Sequence, residues 1–238
     1  TGTVASSANY AIDTAVPTVS SIAISGATGA LNSTLNAGDV VSTTVTLSEA
    51  VTVTGTPQLA LNIGGTTVQA NYASGSGTNA ITFTYTIVAG QADTNGISLA
   101  ANSLSLNAGT IVDLAGNTAT LTTALVADNT AYKVDTSAPT ATITLSDTAL
   151  AVGETATVTI VFSEAVTSFT NADLTVQNGT LTNVTSSDNI TWTGTFTPTA
   201  ALEDTSNVIS LATSYTDLAG NTGTVASSAN YAIDTAVP

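Results

Sequence analysis

The chain has no cysteine, histidine, methionine or arginine, and Lys133 is its single basic residue. Without cysteine there are no disulfide staples and no thiolate metal sites. That fits a cytosolic protein, and equally a bacterial surface protein stabilised without disulfides. Without histidine or cysteine there is no imidazole base and no thiolate nucleophile, so an enzyme is not expected. A carboxylate pair could in principle hydrolyse glycosides, but the acidic residues mark joints in the chain rather than a cleft. The formal net charge of -15 leaves nothing to neutralise phosphates, which argues against nucleic acid and anionic membrane surfaces as partners. It also leaves a trypsin-like protease almost nothing to cut, which suits an exposed stalk. No apolar run reaches the roughly 18 residues of a membrane span. No secretion signal is visible, as expected for a piece from within a longer array.

What is present is repetition. Residues 222–238 repeat residues 1–17, both reading TGTVASSANYAIDTAVP. The chain is therefore expected to be a window on a tandem array, an architecture that provides length and multiplicity. Inside the window, Leu47-Ser48-Glu49-Ala50-Val51-Thr52 returns as Phe162-Ser163-Glu164-Ala165-Val166-Thr167. Asp113-Leu114-Ala115-Gly116-Asn117-Thr118 returns as Asp217-Leu218-Ala219-Gly220-Asn221-Thr222. A joint, Asp13-Thr14 with Pro17, returns as Asp135-Thr136 with Pro139 and again at Asp234. These joints bound two units, 14–135 and 136–238, with 1–13 expected as the last strand of a preceding repeat.

Both units read as strands. Ala80–Ile87 alternates Ile81, Phe83, Tyr85 and Ile87 with threonine, and Ile190–Phe196 is its counterpart. Turn clusters such as Gly64-Gly65, Ser74–Gly77 and Asn178-Gly179 separate strands at sandwich-like spacing. No window carries a 3.6-residue apolar stripe. The expected fold is all-β: two tandem Ig-like antiparallel β-sandwich domains of about seven strands each, in a rod-like array. Trp192, Phe83, Phe196 and Tyr85 are expected in the core, a carbohydrate-stacking platform being the alternative.

In such a sandwich the loop after the second strand and the turn before the last return to the end where the chain arrives. Topology thus gathers Asp13, Glu49, Asp113 and Asn117 in the first unit. It gathers Asp135, Glu164, Asp217 and Asn221 in the second. Like charges about 4 Å apart repel by about 4 kcal/mol at an effective dielectric of 20. A hard cation with oxygen ligands removes that repulsion, and Ca²⁺ suits it better than Mg²⁺ or zinc. Asp39 and Asp93, placed with Asp147, Glu154, Glu203 and Asp204 at the opposite ends of the units, could complete a neighbour's site. Asp234 would be half a site. Read singly, each acidic residue could be a solvated charge or a structural turn.

The joint Asp-Thr-x-x-Pro, the Ser-Glu-Ala-Val-Thr stretch and the Asp-Leu-Ala-Gly-Asn-Thr turn together resemble the bacterial Ig-like tandem repeats of giant type I-secreted, RTX/biofilm-associated surface adhesins. The resemblance implies an extender region on the bacterial cell surface. Its rod would be stiffened by Ca²⁺ at interdomain joints and would project a distal ligand-binding domain. The partners it implies are neighbouring repeats of the same polypeptide, with no nucleic acid and no membrane insertion, in a monomer. A glycan- or surface-binding adhesive module is the alternative.

Overall fold

The computed structural model describes residues 11–237. They form two compact units. One comprises the described residues up to Gly29, Gly38–Ile87 and Gln91–Val134; the other comprises Ala30–Ala37, Val88–Gly90 and the chain from Asp135 onward. The unit thus changes between Val134 and Asp135, inside the second joint motif. Most of the expected strand at 1–13 lies outside the described residues, and 11–13 carry no strand.

The first unit is dominated by a seven-stranded sheet. Its main path runs Val19–Thr28, Val40–Thr54, Thr78–Thr86, Thr66–Ser74, Gln58–Ile63 and Leu104–Ser105. All these neighbours are antiparallel. Val40–Thr54 organises the unit. Its alternating Val41, Thr43, Val45 and Leu47 are buried, and Thr43 pairs with the buried Phe83 of the adjacent strand. Between Thr46 and Val51 its register slips, and beyond the slip Thr52–Thr54 pairs with Thr110–Val112 instead. An extra length of strand at such a bulge turns the chain from one ladder to another. Of the expected inward row, Ile81, Phe83 and Ile87 are buried; Tyr85 is half-buried and its hydroxyl accepts from Gln91 Nε2 at 2.9 Å. The glycine-rich stretch after Ser74 is a hairpin tip folded back on the long strand. Gly77 N–H donates to Val51 O at 2.8 Å, and Val53 N–H donates to Ser76 Oγ at 2.9 Å.

The second unit holds a four-stranded sheet in the order Ala141–Leu145, Ala156–Phe162, Thr191–Pro198, Gly179–Leu181. Facing it is a three-stranded sheet of Leu174–Val176, Ile209–Leu211 and Ala226–Ser227. Both contribute to one core, in which Val158, Ile160 and Phe196 meet Ile209 and Leu211. The chain ends on Tyr231–Asp234, which pairs parallel with Ala149–Ala151 and antiparallel with Glu203–Asn207. A single 3₁₀ turn, Asn171–Asp173, is closed by a capping box between Thr170 and Asp173.

The architecture is all-β in two units, but the expected seven strands per unit is too simple. Among the described residues, the stretch from Ala141 to Asp234 is cut into twelve strands, most of them two to five residues long. Polar side chains cause much of this by taking backbone amides out of the ladders. Asp188 Oδ1, for example, accepts from the N–H groups of Ile190 and Thr191 at 2.9 and 2.8 Å. Among the described residues no helix is long and apolar enough to cross a membrane, which has no bearing on crossing by strands.

Candidate metal centre

The Asp-Leu-Ala-Gly-Asn turn is built around its own first side chain. In the second unit Asp217 Oδ1 accepts from the N–H groups of Ala219 and Asn221 at 2.8 and 2.9 Å, and Oδ2 accepts from Asn221 Nδ2 at 2.8 Å. In the first, Asp113 Oδ1 accepts from Asn117 N–H at 2.8 Å and Oδ2 from Asn117 Nδ2 at 2.7 Å. Gly116 and Gly220 take φ values of 94° and 91°, a conformation that glycine adopts without strain. The motif is therefore a rigid carboxylate holder.

The same asparagine reaches the joint. Asn117 Nδ2 donates to the Asp13 carbonyl at 3.2 Å, and Asn221 Nδ2 donates to the Asp135 carbonyl at 3.0 Å. Each amide nitrogen therefore faces two acceptors, which settles its orientation. The two asparagines act here as struts between turn and joint. The joint carboxylates are aimed by Asx turns: Asp13 Oδ1 accepts from Ala15 N–H and Asp135 Oδ1 from Ser137 N–H, both at 2.9 Å.

The glutamates sit where the long strand changes ladder. The sequence places Glu49 in a loop after the second strand; in the structure it lies inside the continuous strand Val40–Thr54, at the register slip. Glu164 lies in a short break between Ala156–Phe162 and Val166–Thr167. A bulge projects a side chain off the regular face, which is what lets a strand residue reach the turn. The neighbouring serines, to which no motif by itself assigns a role, fasten the incoming chain. Thr18 N–H donates to Ser48 Oγ and Ser48 N–H to Thr18 O, at 3.0 and 2.8 Å. Thr140 and Ser163 make the same pair at the same distances. The recurrence of Pro-Thr with Ser-Glu-Ala was the available signal.

Two clusters result. Asp13, Glu49 and Asp113 each offer a carboxylate oxygen within 4.8 Å of the others, and so do Asp135, Glu164 and Asp217. The turn aspartates are buried, at 4% and 2% exposure, while the joint aspartates and glutamates are more open. Burial pushes the Glu164 carboxyl up to about 7, reinforced by the charges of Asp135 and Asp217 and a hydrogen bond with Asp135. Glu49 is raised for the same leading reason, with Asp13 and Asp113 adding to it. Asp113 goes the other way. Burial raises it, but hydrogen bonds from Asn117 and the turn amides outweigh burial and hold it below the usual range.

The donor set fits a hard cation. Oxygens bound to one Ca²⁺ at about 2.3–2.6 Å lie no more than about 5 Å apart, so three oxygens within 4.8 Å can share an ion. Asp39, Asp93 and Asp234 join no such cluster among the described residues. Asp93 is buried as a turn holder, its two oxygens accepting from the N–H groups of Gly64 and Gly96 at 2.8 Å each. Asp39 lies beside Gly29, and Asp234 is exposed at the end of the closing strand.

Residues 135–233 match the family model of the bacterial Ig-like domain, a span that begins at the joint aspartate of the second cluster. Among solved structures, the chain is similar to FdeC, an Escherichia coli adhesin, at 13% identity with a TM-score of 0.36, covering 90% of this chain and 63% of that one. It is also similar to the I9–I11 tandem of titin, at 11% identity with a TM-score of 0.38, covering 86% of this chain and 62% of that one. The chain thus spans less than two thirds of either structure. No curated protein matches it.

Proposed function

We propose that the chain is a pair of non-catalytic extender domains from a bacterial surface adhesin, each holding one Ca²⁺ ion where the chain enters the domain. The observation that carries this reading is that one three-carboxylate cluster is built twice, by the same three motifs. Asp13, Glu49 and Asp113 would hold one ion, and Asp135, Glu164 and Asp217 the other. When bound, the ion supplies positive charge that relieves carboxylate repulsion and ties the joint aspartate to its own domain. A tied joint has fewer conformations, so a tandem of such domains becomes stiffer and suited to projecting a distal ligand-binding domain from the cell. For a site of about 10⁻⁴ M affinity at about 1 mM calcium, binding contributes roughly 1.4 kcal/mol. That is small for a fold and large for a hinge. The glycan-binding alternative lacks support: among the described residues no aromatic side chain is among the exposed large hydrophobics, and Trp192 packs edge-on against Phe169 at 5.1 Å.

The test is calorimetric titration of chelator-treated protein with calcium, followed by small-angle scattering with and without the ion. Two binding events are expected. Asp113→Ala and Asp217→Ala should each remove one, and Asp135→Ala should broaden the distance distribution in calcium while both domains stay folded. The absence of any binding up to 10-fold above about 1 mM calcium would overturn the reading.

A further inference from the structure

The turn that holds Asp217 is itself held by a segment from much earlier in the chain. Ala30–Ala37 belongs to the second unit. Its tip is a tight turn in which Leu31 N–H donates to Thr34 O at 2.9 Å and Thr34 N–H donates to Leu31 O at 2.8 Å. Between them Asn32 and Ser33 take φ values of 49° and 62°, the left-handed region that serine seldom enters. Such a conformation persists where surrounding contacts over-determine it. Those contacts are made with the turn: Asn32 Nδ2 donates to Leu218 O at 2.8 Å, and Asn36 Nδ2 donates to Ala219 O at 3.1 Å. Gly220 lies against the same segment, where an added Cβ would sit 2.9 Å from Leu31 Cδ1 and 3.3 Å from Asn36 Nδ2.

These bonds lead into the carboxylate cluster. Leu218 O and Ala219 N–H belong to one peptide group, and that N–H donates to Asp217 Oδ1 at 2.8 Å. Asn32 therefore reaches the carboxylate through a single peptide. A donor on the carbonyl polarises the peptide and strengthens the hydrogen bond at its N–H end. Both asparagines also fix the turn before any ion arrives, so binding does not bear the cost of ordering it. Their amides are neutral, so they act through geometry rather than through charge.

We propose that Asn32 and Asn36 are positioning residues for the cation held by Asp135, Glu164 and Asp217, and that the ion and the 30–37 segment strengthen each other's hold on the 217–221 turn. This rests on the calcium reading above. Outer partners of metal ligands set affinity by about 10–100-fold; Asn32 stands one peptide further out, so losing its donor should weaken the site by about 3–10-fold. The coupling is reciprocal by linkage: the factor by which the segment tightens calcium is the factor by which calcium tightens the segment.

The test is calcium titration of the full chain by calorimetry. Asn32→Gly removes the donor and keeps the left-handed conformation available. In an Asp113→Ala background, which leaves the second cluster to bind alone, Asn32→Gly should raise the calcium dissociation constant about 3–10-fold. In an Asp217→Ala background it should leave the remaining event unchanged. The Ala219 amide proton gives a second readout: in chelator, Asn32→Gly should shift its resonance upfield as its bond to Asp217 weakens, with the Ala115 amide unmoved. Trp192, the only tryptophan, packs against the second unit's core, so native emission shows that the variants are folded. Asn36→Ala leaves the tip turn untouched and should weaken the site in the same direction; it decides the matter if Asn32→Gly disturbs that emission. Two calcium events in the parent with an unchanged second affinity in the variants would overturn this proposal and leave the calcium reading standing. No calcium event in the parent would overturn both.

Discussion

The two units share a site and differ in how their cores are filled. Around the clusters, the turn aspartate, its asparagine strut, the joint aspartate and the serine clamp recur with near-equal distances. Inside, aligned positions diverge. Leu47 and Ile111 of the first unit become Phe162 and Tyr215 in the second, whose rings pack at 4.9 Å. Phe169 adds edge contacts to Phe162 and Trp192 at 5.0 and 5.1 Å. The ring contacts of the first unit, among the described residues, come down to Tyr72 with Phe83 at 6.1 Å. The lesson is that the site depends on backbone amides and short polar side chains at fixed spacing, which tolerate no rearrangement. The core needs only matched volume, so it can be refilled as long as partners change together.

The comparison is broken most severely at Gly223. Its place in the first unit is taken by Ala119, whose N–H bonds to Ile111 O at 2.9 Å as Gly223 N–H bonds to Tyr215 O at 2.9 Å. Gly223→Ala is expected to destabilise the second unit by about 2–3 kcal/mol, because the buried ring cannot retreat. Adding Tyr215→Ile, which copies the first unit's pair, should recover part of that loss. Denaturant unfolding followed by Trp192 measures both, and strict additivity of the two changes would show that the pair is not coupled.

A smaller effect is expected at Thr43, whose place in the second unit is Val158. Both are fully buried, and the Thr43 hydroxyl has no hydrogen-bond partner. Thr43→Val keeps the shape and removes an unsatisfied group, so the first unit should gain about 1 kcal/mol. Val158→Thr should cost the second unit a similar amount or more. Calorimetric unfolding of each variant separates the two transitions, and a loss of stability in Thr43→Val would refute the assignment.

The smallest contrast is in pH. Glu164 is raised to about 7 from an ordinary 4.5. Between those values the folded second unit binds more protons than the unfolded chain. In chelator its stability should therefore be full below about pH 4.5 on this group's account and fall as pH rises through about 7. Millimolar calcium should remove that fall. Glu164→Gln should flatten the profile in chelator; an unchanged profile would assign the dependence to another group.

Much of this protein is legible in its residues because the information is local. Alternation of Ile81, Phe83 and Ile87 with threonine marks a strand with one inward face, and three repeated motifs mark two units and two acidic triplets. Sandwich topology alone brought Asp13, Glu49 and Asp113 together, and likewise Asp135, Glu164 and Asp217. Other features depend on contacts between distant segments, which no local pattern encodes. Only the folded chain shows that Glu49 stands on a bulged strand, or that Asn117 and Asn221 serve as struts through their amide nitrogens. Only there is Asp93 seen to be occupied by the amides of Gly64 and Gly96, and Ser48 and Ser163 to hold the incoming threonines. The sequence by itself determined strand, repeat and charge, since these follow from side-chain period and composition. The tertiary structure decided which hydrogen-bond partner each polar group takes, because that choice is made between segments distant in the chain; Asn117 and Asp13 are 104 residues apart.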